Sequence, residues 1–217
     1  VTTALLVWSW HFSVAVLRAP QAPTRRGEAV RIITANIGAL GVVAGMLMNA
    51  PAITTVGALA IAAAVAAHVG ALVIRLRQAL PSRFAFTVRA YVAAGLLLIP
   101  GIALGVLMAR GTSDATTYSQ LLLGHVTINL LGWVGLPILG TLVTLWPTML
   151  HTRLAPDAER QARRALPLLI GGTLVTTAGA LTGLDLLAAA GVAGYLIGIG
   201  LTVAPMVTEM RQRPPAV

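Results

Sequence analysis

The run from Gln120 to Leu150, QLLLGHVTINLLGWVGLPILGTLVTLWPTML, carries no formal charge and exceeds the roughly 20 apolar residues that a helix needs to cross a bilayer. In hydrocarbon every backbone N–H and C=O must be satisfied within the protein, so a run of this kind has to be helical. It nevertheless holds an imidazole and an amide, His125 and Asn129, in its first third. On a helix His125, Asn129, Gly132, Leu136 and Gly140 share one stripe. A stripe that mixes polar groups with glycine belongs against other helices, not against lipid.

The rest of the chain has the same character. Of 217 residues 57% are hydrophobic and only 10% are charged, with a mean hydropathy of +0.87, whereas soluble domains carry about 25% charged residues. The net charge of +9 rests on 15 basic residues, all arginine, clustered in short stretches between apolar runs. That distribution reports membrane topology and gives no support to nucleic-acid binding. The absence of lysine and the wealth of Ala, Gly, Val and Leu point to a GC-rich bacterial genome. With no cysteine, disulfides, thiolate metal sites, iron–sulfur clusters and covalent c-type haem are excluded.

Hydropathy and turn signals predict spans over residues 1–17, 32–50, 53–74, 90–109, 120–150, 166–183 and 186–208. The arginines between them alternate: Arg18, Arg25, Arg26 and Arg31; Arg75, Arg77, Arg83 and Arg89; Arg153, Arg160, Arg163 and Arg164; Arg211 and Arg213. Only Arg110 falls on the other side. The positive-inside rule then places the N-terminus outside and the C-terminus in the cytoplasm of a bacterial plasma membrane. The fold class expected is all-α, a single polytopic domain built as an antiparallel bundle of about seven transmembrane helices with the lipid bilayer as partner. Residue 1 lies inside an apolar run with no signal-peptide pattern, so a fragment of a larger bundle is expected. Further expectations are a kink or widening at Pro100-Gly101, close helix approach at Gly41 and Gly45, and an interfacial Trp146. Phe84 and Phe86 are expected in the headgroup region.

Helix rise of ~1.5 Å per residue sets the depth of the buried histidines. His11 and His68 each precede an arginine, Arg18 and Arg75, by seven residues. Both therefore lie roughly 10 Å inside the cytoplasmic boundary and could be opposite ligands of one cofactor. His125 lies roughly 9 Å from the external boundary, about one layer away, and belongs to a different site. Paired imidazoles at one depth suit a b-type haem, and also copper or zinc. The plainer alternative is that each histidine hydrogen-bonds a hydroxyl or carbonyl on the next helix. His151 reads as a solvated residue at a helix exit. Asn36, Asn49 and Asn129 read as interhelical polar contacts, although Asn129, one turn from His125, could orient a ligand or a water. Trp8, Trp10 and Trp133 read as packing, and Met46, Met48 and Met108 as lipid-facing or core. No acidic residue is predicted at mid-membrane, which argues against a carboxylate-based pump, and no motif supports hydrolase or nucleotide chemistry.

The run Gly124-His125-Val-Thr-Ile-Asn129-Leu-Leu-Gly132-Trp133, continuing to Trp146-Pro147, resembles the His-x-x-x-Asn-Leu-Leu-Gly-Trp segment of small membrane proteins related to haem–copper oxidase subunit I. It is more distantly similar to the haem-ligating second helix of nitric oxide reductases and cbb3-type oxidases. From Leu6-Val-Trp-Ser-Trp-His11-Phe to Arg163-Arg164-Ala-Leu-Pro167 the chain resembles the membrane region of actinobacterial copper-oxidase proteins, where a multi-span domain precedes a cupredoxin-type multicopper oxidase domain. The resemblance implies His125 as the first haem-ligand candidate, with His11 and His68 next. It also implies haem b as cofactor, copper in a further domain, and quinol as an electron source. The chain has no His-His pair and no second histidine-bearing helix for a copper site beside a haem. The function expected is a haem-binding electron-transfer module of a copper-dependent, nitrite-reductase-like oxidoreductase on the external face, serving an oxidoreductase without being catalytic alone. A small-solute or metal-ion transporter and a non-catalytic membrane anchor are the alternatives.

Overall fold

The computed structural model describes residues 1–18, 25–82, 84–112 and 114–212, and every regular element among them is a helix. Seven helices follow one another: α1 (Thr2–Leu17), α2 (Arg26–Leu47), α3 (Pro51–Gln78), α4 (Ala85–Ala109), α5 (Ala115–Met149), α6 (Ala158–Thr182) and α7 (Asp185–Met210). Six of them, α2 to α7, are long and apolar enough to cross a membrane. The seventh, α1, is apolar but has 16 residues and rises roughly 24 Å. The chain is a multi-pass helical membrane bundle. Of the arginines assigned to basic loops, Arg83 and Arg213 lie outside the described residues, as do Pro20 and Pro23.

The helices outrun the apolar spans. Arg26 and Arg31 lie within α2, Arg75 and Arg77 within α3, Arg89 within α4, and Arg160, Arg163 and Arg164 within α6. Hydropathy delimits the hydrocarbon layer, not the helix, and arginine is a good helix former, so the turns continue past the apolar stretch. The ends carry local signals. Pro51 opens α3, where its missing N–H costs nothing. Asp114 caps α5 by accepting from the amides of Thr116 and Thr117 at 3.3 and 2.8 Å. Gly183 closes α6 with φ 69°, a left-handed conformation that glycine adopts without a Cβ penalty.

Neighbours in sequence are neighbours in space, from the α2–α3 pair through α4 and α5 to the α6–α7 pair. The contacts run antiparallel: His125 meets Gly101, Gly132 meets Leu97, and Gly140 meets Ala90 as α5 descends along α4. Small residues set the closest approaches. A Cβ on Gly38 would come 2.6 Å from the Gly57 carbonyl across α2 and α3, and one on Gly172 would come 2.6 Å from the Tyr195 amide across α6 and α7. The predicted Gly41 and Gly45 contacts fall on Gly57 and Thr54 of α3 in the same seam. α1 packs less extensively, against α2, α3 and α4. Ala94, Leu97, Leu98, Ile128, Trp133 and Leu136 form the centre of the core, between α4 and α5.

Phe86, the second residue of α4, is buried with Val143, Ala162 and Met206. Pro100 lies within α4, on its exposed side, and the helix continues to Ala109. In α5 residues Ile128–Gly135 form a π-helical stretch.

Candidate functional site

Pro137 accounts for the place of the π-helical stretch. A proline has no N–H for the carbonyl four residues back and its ring crowds that carbonyl, so the turns just before it widen. Carbonyls along this stretch are then taken by side chains. Asn129 Nδ2 donates to the His125 carbonyl at 2.7 Å, and the Tyr195 hydroxyl of α7 donates to the Leu131 carbonyl at 3.0 Å. Trp133, buried in the same stretch, has an indole N–H with no acceptor among the described residues.

His125 stands on the α5 turn that enters this stretch. Its Nδ1 lies 2.8 Å from the Gly101 carbonyl of α4. Only an Nδ1–H can make that bond, since a carbonyl accepts and never donates. Asn129 Nδ2, 3.3 Å from the same nitrogen, already donates to the His125 carbonyl. The tautomer is therefore fixed with Nε2 unprotonated, the form in which histidine ligates a metal. Gly101 and Gly105 make this possible. A Cβ on Gly101 would come 2.7 Å from Asn129 Oδ1, and one on Gly105 would come 3.1 Å from His125 Cε1. This pair of glycines thus makes room for an imidazole and an amide.

The histidine lines a cavity of about 400 Å³ between the α2–α3 turn, the end of α4 and the start of α5. Its walls are mostly apolar, with Thr54, Asn49 and Tyr118 as the other polar groups. Met46 and Met108, expected to be lipid-facing or core, also line it. An apolar pocket of this size with a few convergent polar groups is the usual form of a small-molecule or cofactor site.

His68 is different. It is buried, and its Nε2 lies 2.9 Å from Ser9 Oγ, which itself donates to the Leu5 carbonyl at 2.6 Å. Nε2–H is therefore a donor locked between α3 and α1. His11, two residues from Ser9 on α1 and so on the other side of the helix, pairs by Nε2 with Glu28 of α2 at 2.8 Å and is half exposed. The structure does not bring His11 and His68 together as opposite ligands. Equal depth along a helix says nothing about azimuth, and here azimuth separates them. Nor does it place either histidine in the His125 cavity, and among the described residues no group of three or more His, Cys, Asp or Glu side chains could hold a metal ion.

The remaining sequence candidates are structural. Asn36 donates to the Ile32 carbonyl and accepts from Thr3 at 3.0 Å, joining α1 to α2. Asn49 takes φ 50° at the end of α2, and His151 takes φ 52° just after α5 and is exposed. Trp146 donates to the Met206 carbonyl at 3.3 Å. Two polar groups escaped the sequence reading. Glu209, 1% exposed, accepts from the Ala155 amide at 2.9 Å, and Gln212 exchanges two hydrogen bonds with the Arg153 backbone. Together they dock the α5–α6 connection onto the end of α7. Neither is marked by hydropathy, since both sit beside arginines at a helix end.

No protein-family model, curated protein or solved structure matches this chain.

Proposed function

We propose that the chain is a cofactor-binding electron-transfer module of a bacterial plasma membrane, with His125 Nε2 as ligand to a haem-type iron in the cavity between α2, α3, α4 and α5. The reading rests above all on the fixed tautomer. A histidine whose Nδ1–H is held by the Gly101 carbonyl, with its other nitrogen free beside an apolar cavity, is preorganised to ligate. Met46 and Met108, which line the same cavity, would offer a thioether, a ligand type that haem iron takes together with histidine. A haem held there would supply reversible one-electron chemistry. The chain's own residues orient the imidazole through the Gly101 carbonyl and Asn129.

In this reading the arginine-rich ends of the helices are cytoplasmic, the N-terminus is external, and the cavity opens towards the external half. A copper-dependent oxidoreductase domain on that side and quinol as reductant complete the proposal. One observation favours a second reading, direct copper binding. Imidazole with two thioethers is a soft ligand set of the kind that selects Cu(I). The transporter reading draws less support, because Leu97, Leu98, Ile128 and Leu136 fill the bundle centre. An optical spectrum with metal analysis of protein purified from a haem- and copper-replete host separates these. A Soret band supports haem, stoichiometric copper without that band supports the second reading, and neither leaves only an anchor.

A further inference from the structure

The other end of the bundle holds a cluster that the His125 site does not use. Trp10 of α1 lies under two guanidinium groups, with Arg75 Cζ 3.6 Å and Arg31 Cζ 4.6 Å from the ring centroid. Arg75 is otherwise satisfied, donating to the Trp10 carbonyl at 3.1 Å and to Ser13 Oγ at 2.9 Å. Arg31 is not. Its Nε and Nη2 are buried with no hydrogen-bond partner among the described residues. Those two nitrogens lie along one edge of the guanidinium, the edge that forms paired hydrogen bonds with carboxylate or phosphate. The nearest carboxylate, Glu28, lies one turn away on the same helix and is engaged by His11 at 2.8 Å. His68, next to Trp10 with ring centroids 6.2 Å apart, adds no negative charge.

Two guanidinium groups against one engaged carboxylate leave a positive excess at a half-buried site, with two donors of Arg31 out of contact with solvent, an arrangement proteins neutralise with an anion. The level in the bundle indicates which. Arg31 is five residues from the start of α2 and Arg75 three from the end of α3, hence roughly 5–8 Å inside the helix ends, near the boundary between headgroups and acyl chains. We propose that Arg31, with Arg75 and the Trp10 ring, forms a binding site for a phosphate-class oxyanion, the side-on edge of Arg31 taking two of its oxygens. A lipid phosphodiester of net negative charge and free inorganic phosphate share that chemistry.

The test uses the full chain in detergent, with phosphatidylglycerol, phosphatidylcholine and inorganic phosphate added separately. Native mass spectrometry reads retention of lipid, and thermal melting reads protection by each. Wild type is expected to retain phosphatidylglycerol over phosphatidylcholine, and Arg31→Gln to lower that retention about tenfold or more. Arg31→Lys, which keeps the charge but not the paired donors, should fall between. Protection by inorganic phosphate that Arg31→Gln removes would support the site with free phosphate as its source. Arg31→Gln indistinguishable from wild type in both arms overturns the proposal. Should that variant fail to fold, Arg31→Lys retaining phosphatidylglycerol as wild type does overturns it.

Discussion

Two histidines within the spans of this bundle, His68 buried and His125 half-buried, have opposite fates. His68 donates from Nε2 to Ser9, which passes the bond on to the Leu5 carbonyl, and the ring is enclosed between α1 and α3. His125 donates from Nδ1 to the Gly101 carbonyl and keeps Nε2 free beside a cavity of about 400 Å³. Both are imidazoles in spans of low polarity, so residue type and hydropathy do not separate them. What separates them is which nitrogen is used and whether a side chain or a cavity lies beyond it. A membrane histidine is a ligand candidate when its neighbours fix one nitrogen and leave room at the other.

Substitutions at each end can break or sharpen that contrast. The largest expected effect is at Gly101. A valine there would place Cβ 2.7 Å from Asn129 Oδ1 and drive α4 from α5, costing about 2–3 kcal/mol in thermal unfolding and any ligand at His125. Valine at Gly70, where a Cβ meets nothing within 4 Å, should stay within about 0.5 kcal/mol. His68→Ala is next. It removes a buried ring and its bond to Ser9, and should lower stability by about 1–2 kcal/mol while leaving any spectrum unchanged. If that variant lost the spectrum, the two histidines would not be functionally distinct.

Tyr195→Phe probes the support of the π-helical stretch, since it deletes only the donor to the Leu131 carbonyl. A loss of about 0.6–1 kcal/mol is expected, with a shifted spectrum if the stretch sets the His125 ring. The smallest effect is at Asp114, the N-cap of α5. The Thr117 amide and hydroxyl, with the Thr116 amide, hold its carboxyl below the usual carboxylate range. A lowered folded-state pKa contributes stability that is full above the unfolded value of about 3.9 and is lost as pH falls through the folded value. Asp114→Ala should therefore melt lower than wild type at neutral pH, with the gap closing on acidification below about pH 4. A gap that stays constant down to pH 2 would refute the cap's charge dependence.

Much of the fold is legible in the residues. The alternation of apolar runs with arginine clusters gives the helix order, and Pro51, Asp114 and Gly183 mark ends that the structure uses. The stripe from His125 to Gly140 does face other helices, with Gly132 on Leu97 and Gly140 on Ala90. The partners across the stripe were not legible. Depth arithmetic set His11 beside His68, but a helix turns about 100° per residue, and positions 9 and 11 address different neighbours. The π-helical stretch is equally hidden, because Pro137 announces a disturbance without saying whether the chain kinks or widens. The Gly101 and Gly105 pair illustrates the ambiguity. The same small residues permit backbone contact in one seam and seat a ring in another.

The central claim is that His125 and not His68 is the ligand. The most direct test is the optical spectrum, with metal analysis, of wild type, His125→Ala and His68→Ala purified side by side from a haem- and copper-replete host. A Soret band or stoichiometric copper is expected in wild type and His68→Ala, and its loss in His125→Ala. No chromophore or metal in wild type, or one that survives in His125→Ala, would contradict it.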